Sequence, residues 1–413
     1  MPQPLISGPF ARVTVANFFF FLNFASFFLL PLYVKSLGGS EAMVGAVMGT
    51  GGMAALIVLP FIGLALDRFG RRRFFVVGTI AMTAAALGYL RVDTIGPALF
   101  ALRVVQGFSF AAAFTASTTL AAELAPSDRR AEALGIFGVS TLLTHALAPT
   151  IGEEIIHRAG FHALCVTAAA FTTLPLLLLP GVPPRRMPSV HAVRTTWRIG
   201  RLQWVLIGTM TLSGMGFGAV MTFIPTFVRG SDLGRVAFFY GAYTITAILT
   251  RFFGSGLSDS VGRRRIVLPT LLVLATSIFT LSLVRSVPVL VVAGILFGGA
   301  QGISYPTLHA FLVDLTADEH LGRAQALFNG SFNLGVMSSA FLFGPVADHL
   351  GQRPMFALAA LMPLLACLLF FLYGFEPGDK IVRRQMASPV SARQRSSAAG
   401  HPQVASDASN PHS

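Results

Sequence analysis

The stretch Gly63-Leu-Ala-Leu-Asp67-Arg68-Phe-Gly70-Arg71-Arg72-Arg73 is a short charged punctuation between two long apolar runs. It returns 192 residues later as Ser255-Gly-Leu-Ser-Asp259-Ser260-Val-Gly262-Arg263-Arg264-Arg265, with the acid, the glycine and the three arginines in register. Further pairs follow in the same order. Arg103-Val-Val-Gln106-Gly107 answers Gly298-Gly-Ala-Gln301-Gly302, and Arg130-Ala-Glu-Ala-Leu134 answers Arg323-Ala-Gln-Ala-Leu327, while the offset drifts only to 195. The chain is a tandem repeat, the pattern expected of parallel repeats related by an axis normal to a membrane.

Composition agrees. Hydrophobic residues make up 54% of the chain and charged residues 11%, against about 25% charged in soluble domains. The excess of 30 Lys and Arg over 17 Asp and Glu sits in short loops between apolar runs, which points to membrane topology and away from nucleic acid. At about 20 apolar residues per span, twelve spans are expected. They lie near 10–34, 42–64, 74–92, 97–122, 133–156, 162–180, 204–228, 236–254, 266–284, 288–313, 324–346 and 355–375. The fold class is therefore an all-α membrane protein with twelve transmembrane helices in two six-helix, pseudo-symmetric bundles. The first bundle covers 1–180 and the second 204–375. A basic cytoplasmic linker rich in Pro and Arg, 181–203, joins them, with a short interfacial helix expected around Trp197–Arg201, and a polar tail, 376–413, is expected to be disordered. With both termini in the cytoplasm, 21 Lys and Arg fall inside and seven outside, which sets the orientation. The first apolar run is too long for a signal peptide and is kept as a span.

An acid, Arg, Gly and an Arg run after the second span, together with Arg-x-x-Gln-Gly in the fourth, resembles the major facilitator superfamily over roughly residues 10 to 375. The resemblance implies a cytoplasmic latch at Gly63, Asp67, Arg68, Gly70 and Arg71. A looser copy is expected at Asp259, Gly262 and Arg263, because Ser255 and Ser260 replace the leading Gly and the first Arg. Glu123 and Arg130 resemble the superfamily's second cytoplasmic charge pair, and the alternative for both clusters is a plain topology signal or loop solvation. Arg103 matches the position that the family associates with proton coupling; snorkelling to the outer surface competes with it. Arg251 is divided between a structural ion pair and a cavity role. In the fifth span only half of the export branch's glycine signature is present: Gly135, Pro149 and Gly152 remain, while Thr144, Ala148 and Glu153 stand where glycines are expected. Glu153 is with His145 the other candidate for proton coupling, and the alternative is that Glu153 and Glu154 both sit solvated at the outer headgroup boundary.

In the tenth span Gln301, Tyr305 and His309 form a polar stripe at i, i+4 and i+8, either a helix contact or a cavity wall. Asn23, Gln106 and Asn333 are further candidates for a substrate cavity, with Met215 and Met221 as a soft apolar wall. Gly214, Gly216 and Gly218 follow no strand and serve packing. Cys165 and Cys367 have no metal-like spacing. The sequence has no Gly-rich loop ending in Gly-Lys-Ser/Thr, no Cys and His framework and no nucleophile elbow. No metal, cofactor or enzymatic activity is expected. The resemblance implies proton-coupled efflux of small apolar or amphiphilic molecules by a monomer in a bacterial cytoplasmic membrane, with protons, the substrate and the lipid bilayer as partners and no nucleic acid. Uptake of a metabolite or sugar, and a non-transporting membrane sensor, are the alternatives.

Overall fold

The computed structural model describes residues 7–126, 129–182, 199–317 and 320–374, without the side chains at 63, 64, 67, 131, 254–260 and 322. The tail, 375–413, and residues 183–198 of the linker lie outside the described residues. Among those that are described the chain is helical, with no strand.

Local chemistry decides where the helices start and break. Ser7 caps α1 (Gly8–Ser26) by accepting from the Phe10 amide. The same span then passes through a 3-10 turn, Phe27–Leu29, into α2 (Leu30–Ser36). Pro31 explains the break, since it has no N–H to give back to the preceding turn. Ser40 caps α3 (Glu41–Phe69), which gives way to α4 (Arg71–Gly88). Gly70 makes that junction at φ 92°, and Gly262 makes its repeat at φ 96° between α9 (Ala237–Val261) and α10 (Arg263–Leu283). A side chain is strained in that region, so the glycine shared by both copies of the motif is required by the backbone.

The fifth and sixth expected spans are two helical stretches that meet at one non-helical residue between them. After α5 (Pro97–Leu124), α6 runs from Arg130 to Phe171 and bends at Gly160, whose φ of 79° and ψ of 175° are not helical. Glycine takes that conformation cheaply, so the chain reverses without a loop. Helix α7 (Thr173–Leu178) completes the half. The second half continues with α8 (Arg201–Gly230), α9, α10, α11 (Val287–Asp314) and α12 (Leu321–Leu350). It ends with α13 (Gln352–Ala359) and α14 (Leu361–Tyr373), interrupted just ahead of Pro363. Ten helical stretches are long and apolar enough to cross a bilayer among the described residues, one of them the 50-residue stretch Glu132–Gly181.

Each half packs on itself in matching ways. A Cβ on Gly107 would lie 2.2 Å from the Gly51 carbonyl, so α5 presses directly on α3; Gly302 brings α11 onto α9 in the same manner, 2.8 Å from the Ala247 carbonyl. Phe20, Phe75, Met82 and Leu120 belong to a core of the first half, and Leu206, Leu271, Phe328 and Phe370 to one of the second. A third cluster draws on both, joining Leu29 and Val47 to Phe223, Phe239 and Phe297. The outer surface is apolar, with Phe61 67% and Phe253 83% exposed, as a lipid-facing surface requires.

Candidate functional site

At the arginine-rich end, Arg71 Nε lies 3.1 Å from Glu123 Oε1, both side chains buried, and Arg263 Nε lies 3.1 Å from Asp314 Oδ2. The two ion pairs are repeat equivalents, each joining the start of a third helix to the end of a fourth within one half. The pairing expected between Glu123 and Arg130 is corrected here. Arg130 is exposed at the start of α6, and its neighbour Arg129 pairs instead with Glu132. Arg71 captures Glu123 because α4 and α5 pack along their length, whereas Arg130 begins a helix that faces outward at that point. Arg68 is exposed over the Phe69 ring. The side chains of Gly63, Asp67 and Asp259, the remaining parts of the expected latch, lie outside the described residues.

The opposite end is tied across the halves by two carboxylates. Asp348, near the end of α12, accepts from the Glu41 amide at 2.7 Å and the Ala42 amide at 2.8 Å, the first turn of α3. Glu153, on α6, accepts from the Val236 amide at 3.1 Å and the Ala237 amide at 3.2 Å, where α9 begins. Both acids and both amide pairs are related by the repeat offset of 195. The amides of a helix's first turn have no partners of their own, and the helix dipole favours a negative charge there. Around them Lys35 pairs with Glu41, Arg235 with Glu154, and Thr226 donates to Glu41 while accepting from Gln352. A cleft of about 810 Å³ opens at this end, lined by Tyr33, Glu153, His157, Arg229 and Arg235 among others. Glu153 is thus placed at the boundary between halves, away from the middle of the molecule where the sequence reading looks for a proton site.

In the middle the expected residues divide. Arg103 and Gln106 are buried within the first half: the guanidinium donates to the carbonyls of Val47 at 3.2 Å and Met48 at 3.3 Å and to Gln106 Oε1 at 2.8 Å, and Tyr89 donates to the same oxygen. Asn23 is buried too, donating to the Ala168 carbonyl and so fastening α1 to α6. Met221 is buried in the shared core and Met215 is half-buried. These are struts more than cavity walls.

His145, Tyr305, His309 and Asn333 are half-buried, and Gln301 is buried with its Nε2 unpaired. The Tyr305 hydroxyl donates to Asn329 Oδ1 at 2.6 Å, and Asn333 donates to the Asn329 carbonyl. His145 stacks on Phe28, with centroids 5.2 Å apart and planes within 13°, and meets Tyr243 edge-on. Phe28 in turn stacks on Tyr240, so one run of rings passes from the 3-10 turn after α1 through α6 to α9 and on through Phe217 and Phe297. One turn below Phe28, Phe24 stacks on Phe110 at 4.6 Å, and Phe110 on Phe114 at 5.4 Å. Phe24 shares a face with Phe28, and these half-buried rings form an apolar wall on the first half. Sequence reasoning missed this wall, placing it on the seventh span, and missed Asn17, which links Thr141 and Ser117 across three helices. A second Asn in the Phe-rich run that also holds Asn23 was the available signal.

Comparison with known proteins fits this geometry. The family model described as Major Facilitator Superfamily matches residues 13–241 and 206–403. The staphylopine export protein of Staphylococcus aureus is 23% identical over 386 residues, 89% of this chain and 96% of that protein. The multidrug resistance protein MdtG of Serratia proteamaculans is 26% identical over 387 residues, 88% and 93% respectively. Among solved structures, the nucleoside transporter NupG superposes with a TM-score of 0.74 at 14% identity, covering 90% of this chain and all of that one. That likeness concerns the fold.

Proposed function

The chain belongs to the major facilitator superfamily, a family of multi-pass membrane transporters, and we propose that it exports small amphiphilic molecules from a bacterial cytoplasm by alternating access, in exchange for protons. Twelve spans follow if Glu132–Gly181 is divided at Gly160 and α9 is counted with the ten stretches above. The arginine-rich end faces the cytoplasm, with both termini there, on the excess of Lys and Arg at that end. The observation that carries the mechanism is the pair of carboxylates, Glu153 and Asp348, that cap helices of the opposite half. Such ties favour the state closed to the outside because they must break when it opens, and only differential interactions bias an equilibrium. Export rests on the names of the relatives above.

His145 is the residue we assign to the proton. It stands between a ring of each half, and an imidazole ring nitrogen can take up and release a proton. Arg103, whose donors are occupied by Val47, Met48 and Gln106, holds α5 to α3, and Glu153 acts at the outer closure. The test is flux in proteoliposomes with an imposed proton gradient and an internal pH dye, across apolar drugs, sugars and metabolites. Compound-driven proton movement that is lost in His145→Gln supports the reading. Compound movement that ignores the gradient overturns exchange, and absence of movement in wild type overturns transport of these classes.

A further inference from the structure

Arg251 is the cation that the middle of the molecule leaves unanswered. It makes no hydrogen bond or ion pair among the described residues, and its Nε is buried without an acceptor. The nearest acid on its own helix, Asp259, is eight residues on, about 12 Å along the axis. Arg103, by comparison, spends its donors on three acceptors. A lone guanidinium deep in an apolar span is costly, and such residues face an aqueous cavity or a partner.

Its position is in the middle of its helix, away from either end. Arg251 lies 14 residues past Ala237 in α9, Gln301 lies 14 past Val287 in α11, and Phe110 lies 13 past Pro97 in α5. All three stand at one level, about 20 Å down helices that enter from the same end, near the midplane where this architecture places its substrates. Arg251 shares a helix face with Tyr243, reaches within 3.7 Å of where a Cβ would stand on Gly138 of α6, and lies within electrostatic reach of His145, Tyr243 and Tyr305. Gln301 Nε2, a donor at that level, is likewise without a partner, as is the ring nitrogen Nδ1 of His145. Two donors without acceptors call for an oxygen anion. The repeat breaks at the same place: 192 residues earlier the first half has Leu59, so the charge is not imposed by the shared architecture.

We propose that Arg251, assisted by Gln301, binds the anionic group of the substrate, and that the substrate is a small organic acid, a carboxylate or sulfonate, whose apolar body lies on the Phe24, Phe110 and Phe114 wall. This rests on the transport reading above and narrows its substrate class. The direction agrees with it: an anion leaving and a proton entering both move charge the way an inside-negative potential drives it.

The experiment uses the purified full chain and matched acid and amide pairs, 1-naphthoate with 1-naphthamide and 4-butylbenzoate with 4-butylbenzamide. Ligand-induced thermal stabilisation gives apparent affinity, and gradient-driven flux in proteoliposomes gives transport. The acids are expected to bind more tightly than the amides. Arg251→Gln should weaken acid binding about 10- to 100-fold and leave amide binding unchanged, while Arg251→Lys keeps part of the preference. Gly138→Asp, which fits beside the guanidinium and supplies an internal counter-ion, should abolish acid preference with Arg251 intact, and it decides the matter if Arg251→Gln does not fold. Equal binding of acid and amide by wild type, absence of binding by either acid, or unchanged acid preference in Gly138→Asp overturns the site. Acid-selective binding without gradient-driven flux keeps the site and removes the export reading; equal flux of acids and amides does the reverse.

Discussion

Arg103 and Arg251 are both guanidiniums inside apolar helices, and their surroundings give them opposite work. Arg103 fills the space beside Gly51 and bonds two backbone carbonyls of α3. Hydrogen bonds to a charged group contribute about 1.5–3 kcal/mol each, so losing the two to α3 in Arg103→Met should lower stability by roughly 3–6 kcal/mol, leaving the proton dependence of any remaining flux intact. A thiol-reactive fluorogenic dye reads this directly, because Cys165 is buried and reacts on unfolding. A stable Arg103→Met protein that has lost only its response to the gradient would restore Arg103 as a coupling residue. The sequence made Arg103, Gln106, Tyr305 and His309 legible as polar groups at depth. It did not reveal their partners, since Val47 and Met48 accept through backbone oxygens that every residue carries. Glu153 shows the same limit: its departure from the expected glycine is visible in the sequence, whereas the Val236 and Ala237 amides it bonds come from the other half.

Helices of this chain meet across the repeat where glycines and carboxylates allow it. A Cβ on Gly45 would stand 2.0 Å from the Ala340 carbonyl, so α3 and α12 touch backbone to backbone next to the Asp348 cap. Helix capping contributes about 1 kcal/mol and a charge at a helix terminus up to about 2. Glu153→Ala and Asp348→Ala should each shift the balance roughly tenfold toward the state open at that end, as 1.4 kcal/mol is a factor of ten. Spin labels at Thr94 and Arg285, exposed loop positions ahead of α5 and α11, in a background without Cys165 and Cys367, should report a longer distance in either variant and more of it in both together. An unchanged distance distribution would mean that the caps follow closure without biasing it. Gly45→Leu should open the same end by overpacking, with no change of charge, and accessibility of a cysteine at Ala340 measures it. Helix existence was readable from apolar length, and the Gly70 and Gly262 junctions from the motif. The break expected between 156 and 162 is there, but it is a single residue, Gly160, whose non-helical backbone joins the two helices directly.

At the scale of the molecule, the repeat makes the scaffold symmetric and leaves function to the places where symmetry fails. Gly107 and Gly302, Glu153 and Asp348, and Arg71 and Arg263 keep the offset; Arg103, Arg251 and His145 do not. The repeat was legible because its charged punctuation is sparse and distinctive. The cavity was not, because lipid and core are equally apolar and a helix in a bilayer carries little pattern to say which face turns inward. The cores suggest how far the halves are independent. One cluster around Phe20 and Phe75 draws only on the first half, another around Leu271 and Phe328 only on the second, and a third is shared at the end where the caps lie. Residues 1–190 and 191–413, expressed together as separate chains, should therefore copurify and retain at least part of the wild-type flux, since each half brings its own core and they meet through α3 with α12 and α6 with α9. Adding Glu153→Ala with Asp348→Ala to the split protein should reduce copurification more than either change alone, because covalent linkage no longer compensates for the lost ties. Halves that aggregate apart and fail to associate would show instead that the shared core must form during the folding of one continuous chain.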